Sequence, residues 1–381
     1  MSNLWQTILV TMRIKTDYED ADVIIIPEQH LWHKNITSIP TMVDDNKKII
    51  DNLYSIISNS RNPVVILDGD IFHRGTPRLS DALPLIDYLH TLNSLCDGRV
   101  YSVVGNHEFT YHKDNIFWIF ADVKSEYVEN RIGKPKVLTS YLTATDELQI
   151  GSVLYCLGHY DMDFYDEIDT NSIDDVILIT HSCFGNQELF DNLKVKDPHL
   201  NTDVMKVNNI DRLGALPLTN KLKYIYVGHL HTCIGTFRVQ ERYNSHDYDC
   251  ILTYLGSLGR TSHAEYTDFN ERKIPIHKIR NGKLIEVVNE IIELPSREHA
   301  VDDINVALSK EKYEEQKIVH ELRSVKLQNV DLISNVREVL SGVSTPGMSD
   351  NGLLKLFDSA LIGSVPDEIV EVLRRDYNEN Y

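Results

Sequence analysis

Cysteine is scarce and scattered. The five thiols, Cys96, Cys156, Cys183, Cys233 and Cys250, are odd in number and form no Cys-x-x-Cys pair. That argues against a disulfide scaffold or a zinc knuckle and fits partly buried free thiols in a reducing compartment. Long apolar runs are missing too. None approaches the roughly 20 residues that span a bilayer, so no membrane association is expected. Residues 1–10 lack a basic stretch followed by an apolar core, so a cytoplasmic protein is expected rather than a secreted one. Positive charge is in deficit: 38 Lys and Arg stand against 57 Asp and Glu, a net charge of −19. Proteins that hold DNA by neutralising phosphates are basic, at least locally, so composition alone votes against nucleic acid. No internal repeat or low-complexity tract interrupts the chain. What is there, 381 residues of which 42% are hydrophobic and 25% charged, suffices for one large core and a smaller appendage.

The chain is organised around Val64-Val65-Ile66-Leu67-Asp68-Gly69-Asp70-Ile71-Phe72-His73. An apolar, largely β-branched run ends abruptly in Gly-Asp, which reads as a buried parallel strand with polar residues past its carboxyl end. In open α/β sheets that edge is where ligands bind. Before it, Leu9 to Ile14 reads as an edge strand, Ala21 to Pro27 as a buried strand and Asp44 to Ile57 as an amphipathic helix. After it come a helix over Leu83 to Cys96 and a strand over Arg99 to Val104 that runs into Gly105-Asn106-His107-Glu108. Alternating strands and helices predict an α/β layer fold with parallel strands. Further on, Val153 to Leu157, Asp175 to Thr180 and Lys223 to Val227 are buried-type runs. Thr236 to Val239, Ile251 to Leu255, Ile274 to Ile279 and Lys283 to Leu294 read as an antiparallel continuation. Composition shifts near residue 296 toward charged, helical sequence. A Ser-Gly-Val-Ser-Thr-Pro-Gly connector at 341–347 then precedes two short amphipathic helices. The expected organisation is a catalytic domain over 1–295, a connecting region over 296–345 and a helix pair over 346–381. That pair could pack back on the body or dock into a partner.

Five strand ends each deliver residues of metal-ligand type: Glu28 and His30, Asp70 and His73, Asn106 and His107, His181, and His229 with His231. A lone histidine is more often a satisfied core or surface residue. Five sets, each following an apolar β-run, point to metal chemistry. Two nearby divalent cations can clamp a phosphate for in-line attack, and a carboxylate such as Asp70 can offer one oxygen to each. Neutral imidazoles and an amide oxygen complete the shells without cancelling all the charge. A histidine beside the metals can give a proton to the departing alkoxide.

In its order and spelling the set resembles the calcineurin-like metallophosphoesterase superfamily. The superfamily's pattern is Asp-x-His, Gly-Asp-x-x-Asp/His, Gly-Asn-His-Asp/Glu, His, Gly-His-x-His, and the likeness spans about Ile24 to His231. It implies an α/β fold, a two-sheet sandwich flanked by helices with a small C-terminal helical appendage. Glu28, His30, Asp70 and His231 would hold one cation, and Asp70, Asn106, His181 and His229 the other. His107 would be the general acid. Histidine at position 73 and the turn Tyr254-Leu255-Gly256-Ser257 are similar to the SbcD-type DNA-repair nucleases, nearest in flavour to phage recombination nuclease subunits. That branch implies two divalent cations, manganese foremost, with 3′-to-5′ double-strand exonuclease and single-strand endonuclease activity. It also implies a terminal helix pair that grips an SbcC-like coiled-coil ATPase, and a chain that would be phage-encoded in a bacterial host. His73 would position the DNA phosphate or stabilise the transition state. Two departures stand out: Glu28 replaces the family's Asp, and 296–345 is short for a DNA-presenting cap.

A DNA enzyme this acidic needs an ATPase partner to supply most of the DNA-binding surface, and cations to supply local positive charge. Lys34, Arg74 and Arg260, with His33, Arg78 and Lys113, lie in or near the motif loops and could touch the DNA backbone. The alternatives are a phosphomonoesterase or protein phosphatase of the same superfamily, with Arg74 on the phosphate, or a catalytically weak scaffold subunit. Homodimerisation stays open.

Overall fold

The computed structural model describes residues 12–30, 42–72, 79–110, 115–162, 171–182, 184–185, 208–209, 220–231, 235–243, 246–259 and 271–294. All belong to one compact unit made of residues 1–33 and 42–296. Residues 34–41 and 297–381, with the connector and terminal helices expected there, lie outside the described residues.

Among the described residues, two seven-stranded sheets and a short two-stranded one form the body. In chain order the strands are β1 (Arg13–Thr16), β2 (Ala21–Ile26), β3 (Val64–Leu67), β4 (Val100–Ser102), β5 (Ala121–Lys124), β6 (Leu142–Thr145), β7 (Glu147–Ile150) and β8 (Val153–Gly158). Then follow β9 (Asp175–Thr180), the short pair β10 (Phe184–Gly185) and β11 (Asn208–Asn209), β12 (Leu222–Val227), β13 (Gly235–Tyr243), β14 (His246–Tyr254), β15 (Glu271–Arg280) and β16 (Lys283–Glu293). The first sheet runs β16-β15-β2-β3-β4-β6-β5, parallel from β2 to β5 and antiparallel at β15 and β16. The second runs β1-β7-β8-β9-β12-β14-β13, with β8, β9, β12 and β14 parallel.

The continuous apolar runs follow from burial on both faces. On β2 and β3, Val23, Ile25, Val64 and Ile66 face the second sheet, packing with Tyr155, Leu157, Ile177 and Ile179. Their neighbours Ile24, Ile26, Val65 and Leu67 face the helices. Helix α1 (Met42–Ser58) buries Ile49, Ile50, Leu53 and Ile57 there, a helical spacing, while Lys47, Lys48 and Asp51 stay in water. Helix α2 (Leu79–Leu95) covers the same face with Leu85, Tyr88, Leu89 and Leu92 and carries Pro84 inside it. Each fully buried aliphatic side chain of this kind stabilises the fold by about 1.5–3 kcal/mol.

Several expectations are corrected. The antiparallel continuation is split: β13 and β14 close the second sheet, whereas β15 crosses back to pair with β2. Among the described residues the first strand, Arg13–Thr16, overlaps the end of the span read from Leu9 to Ile14 and runs on past it, and α2 begins before Leu83. Strands β5 to β7 and helix α4 (Glu126–Ile132) were not anticipated. Their runs are short, and the strands carry polar residues such as Thr145, Glu147 and Gln149 that are buried all the same.

One polar feature crosses the sandwich. His277 on β15 is fully buried between the sheets, its ring nitrogens bonded to the hydroxyls of Tyr155 at 3.2 Å and Tyr226 at 2.8 Å. Burial drives its pKa down to about 3.

Candidate metal centre

Strands β2, β3, β9 and β12 run parallel within their sheets and end at one mouth of the sandwich, each breaking into a polar loop. Three of the loop residues, His30, Asp70 and His229, adopt left-handed backbone with φ of 44°, 44° and 66°. Such positions cost roughly 1–3 kcal/mol each for non-glycine residues and persist where the surroundings over-determine them, often at functional sites. Here the surroundings are interlocked loops. Asp70 O accepts the amides of Gln29 (3.2 Å) and His30 (2.9 Å), Glu28 O accepts that of Leu258 (2.9 Å), and His231 O that of Ser257 (3.0 Å). The turn Tyr254-Leu255-Gly256-Ser257 is thereby sewn to both ligand loops. Buried Arg272 adds a bond from Nε to Ser257 O at 2.9 Å.

Every expected ligand side chain comes together here. Three groups have ligand atoms mutually within 4.8 Å: Glu28, His30 and His231; His30, Asp70 and His107; and Asp70, His181 and His229. Asp70 Oδ2 is 3.1 Å from His181 Nε2 and 3.5 Å from His30 Nε2. Asn106, on the short helix α3 (Asn106–Phe109), turns Oδ1 between His181 Nε2 (3.2 Å) and His229 Nδ1 (3.0 Å). Glu28 Oε2 accepts the His229 amide at 3.1 Å, while Oε1 is buried with no hydrogen-bond partner. His107 sits at the edge, half-buried, with Nε2 3.9 Å from Asp70 Oδ2. His73, Arg74, Lys34 and Arg260, like His33, Arg78 and Lys113, lie outside the described residues.

The charges in this cluster need a cation. Burial would raise Glu28, but His231, His30 and His181 pull it down to about 2; burial would also raise Asp70, yet His181, His30 and His107 hold it far below the carboxylate range. Burial would lower His181, but Asp70, Glu28 and Asp68 lift it to about 10. A proton on His181 thus does part of what a cation would do, and metal binding at this imidazole would release it. His229 is lowered to about 4 by burial and His181. With Nδ1 of His181 2.7 Å from the Asp68 carbonyl, a proton there leaves Nε2 toward the cluster. Two carboxylates, four imidazoles and an amide oxygen suit a pair of divalent first-row cations, and the buried Glu28 Oε1, without a hydrogen-bond partner, is a donor atom that such a cation would meet. The residues fit that group.

Three supporting residues were given no role in the reading of the chain. Glu108, fully buried, accepts four amides: Asp70 (2.8 Å) and Gly105 (2.9 Å) on Oε2, Ile71 (2.8 Å) and Phe72 (3.4 Å) on Oε1. Burial and Asp70 push its pKa up to about 8, with His181 and the amides pulling back. It clamps the Gly69-Asp70 turn to the Gly105-Asn106 turn, and its place as the last residue of the Gly-Asn-His-Asp/Glu motif was its clue. Buried His159 accepts the Val104 amide at 3.0 Å and so steadies the approach to Asn106. Tyr160 stands 5.4 Å, ring to ring, from His229.

Fold and site together define a metal-dependent phosphoesterase. The sequence profile of the calcineurin-like phosphoesterase family matches residues 32–233, and the chain belongs to that family. The match starts just after Glu28 and His30, which the structure nevertheless gathers with the rest. No curated protein matches the chain. A crystal structure of a hypothetical protein from Thermus thermophilus is similar over 72% of this chain and 100% of its own, at 11% identity and a TM-score of 0.34, too low to carry an argument. Among the described residues no helix is long and apolar enough to cross a membrane.

Proposed function

We propose that this chain is the nuclease subunit of an SbcCD-like repair or recombination complex, cutting DNA phosphodiesters with manganese. The observation that carries the reading is the Tyr254-Leu255-Gly256-Ser257 turn, similar in spelling to that branch and bonded through Ser257 to the His231 carbonyl. Histidine rather than aspartate at position 73 supports the same branch. When bound, two cations draw charge from a phosphate and lower the pKa of an attacking water. Glu28, His30 and His231 would hold one, Asn106, His181 and His229 the other, and Asp70 would serve both. His107, beside Asp70 and partly exposed, would give a proton to the leaving alkoxide oxygen. Its amide, donated to Asp70 Oδ1 at 2.9 Å, ties that proton donor to the carboxylate that would serve both ions. His73 would steady the DNA phosphate, with Arg74, Lys34 and Arg260 on the backbone. The segment 346–381 would grip the coiled-coil ATPase, which would carry most of the DNA-binding surface that a chain of net charge −19 lacks.

The test is manganese-dependent digestion of end-labelled duplex and single-stranded DNA, with and without a candidate ATPase. Stepwise 3′-end loss from duplex and internal nicking of single strands is expected. Release of phosphate from a small monoester with no nick in DNA would overturn the nuclease reading in favour of a phosphomonoesterase.

A further inference from the structure

Arginine meets the loops of this mouth in two ways. Arg272 is buried behind them, bonded to Ser257 O. Arg131, in the last turn of α4, is exposed. Its guanidinium lies over the Phe109 ring, with Cζ 4.3 Å from the centroid, and Phe109 ends the short helix α3 that carries Asn106 and His107. Nη1 donates to the Tyr127 hydroxyl at 2.8 Å and to the Tyr160 carbonyl at 3.1 Å. Tyr160 in turn gives its amide to Val104 O at 2.8 Å and stands ring to ring beside His229. The guanidinium is thus tied both to the helix of the proposed proton donor and to the loop that flanks His229. Nε and Nη2 make no hydrogen bond, and the group forms no ion pair, with Glu126 and Glu129 of its own helix or with any other carboxylate among the described residues.

A basic side chain near a helix C-terminus complements the macrodipole, but a mobile lysine would serve that purpose equally well. Here stacking and two bonds hold one edge of a planar fork and leave the other edge unengaged. An arginine fixed in this way loses little freedom when it grips a phosphate at two points. The chain continues as Gly133-Lys134-Pro135-Lys136 with both lysines exposed. Three cations and no acid therefore fall between 131 and 136, in a chain of net charge −19.

We propose that Arg131 binds a backbone phosphate of the DNA strand flanking the one that is cut, with Lys134 and Lys136 continuing the track. The inference deepens the nuclease reading above and rests on it. A small phosphate ester has no second phosphate for the open edge to hold, so Arg131 acts on a polymer and not on a small ester.

The test measures kcat and KM for manganese-dependent cutting of end-labelled single-stranded oligo(dT) across a salt series. It uses the full chain, Arg131→Gln and Arg131→Lys, with bis(4-nitrophenyl) phosphate as the small diester. Each phosphate contact on a single strand adds about 0.7 to the slope of log affinity against log salt. Arg131→Gln is expected to raise KM for oligo(dT) several-fold and to flatten that slope by about 0.7, with a smaller loss on the small diester. Arg131→Lys is expected to bring the slope back. An unchanged slope, or equal losses on both substrates, would overturn the proposal and leave Arg131 as a brace for the Tyr160 loop. If Arg131→Gln does not fold, the exposed pair Lys134→Gln and Lys136→Gln takes the same measurement, and an unchanged slope there counts against the proposal. A wild-type chain that hydrolyses the small diester but cuts no DNA would instead sink the nuclease reading itself.

Discussion

Replacing Glu108 by glutamine tests how the site is held together, since it changes one atom and little shape. The wild-type carboxylate accepts two amides on each oxygen, three of them at 2.8 or 2.9 Å and the Phe72 bond at 3.4 Å. A carboxamide has one acceptor oxygen, so its NH2 must face two amide donors whichever way it turns. If the oxygen keeps Asp70 and Gly105, the Ile71 bond and the weak Phe72 bond are lost. A buried donor left unpaired costs about 1–3 kcal/mol, and bonds to a charged acceptor are the stronger kind. Removing a charge that burial and Asp70 disfavour offsets part of this. The net expectation is a loss of about 2–4 kcal/mol, within the range for a broken buried network. Urea unfolding of the metal-free protein reads the stability, and manganese titration reads the site. Both should fall, because the turns carrying Asp70 and Asn106 separate together. A Glu108→Gln chain with unchanged midpoint and affinity would refute the clamp.

Gly105→Ala would drive a β-carbon into the Asp70 carboxylate and to 2.6 Å from its amide, so manganese uptake should be lost while far-UV circular dichroism is kept. His107→Ala should lower turnover about 10²–10⁴-fold, the usual worth of a general acid, while calorimetry finds both ions still bound; an active variant would remove His107 from that role. His277 sets an acid limit on stability. Its folded pKa of about 3 lies below the ordinary 6.5, so the unfolded chain takes the proton first. Its contribution is complete above pH 6.5 and is lost as pH falls toward 3, about 5 kcal/mol over that window. His277→Gln, which can still donate to one phenol and accept from the other, should flatten the pH dependence of the urea midpoint; equal slopes would contradict this.

The chain disclosed the centre because of how parallel strands are built. Val64 to Leu67, Asp175 to Thr180 and Tyr224 to Val227 are buried on both faces or nearly so, and the first polar residues after them must lie at the strand ends. Spelling alone therefore placed Asp70, His181 and His229 at an edge. That the ends face a common mouth depends on pairings between distant strands, such as β15 with β2, which no local pattern encodes. Glu108, Asp68 and Arg272 were given no role for the opposite reason. Their types usually mark solvent, and only the folded chain shows them buried against amides, carbonyls or nothing at all.

Anomalous diffraction at the manganese edge, from crystals soaked in that ion, tests the central claim most directly. Two peaks are predicted about 3.5–4 Å apart, the spacing of two-metal sites, one among Glu28, His30 and His231 and one among Asn106, His181 and His229, with Asp70 between them. A single peak, or density at acidic surface residues alone, would contradict the account.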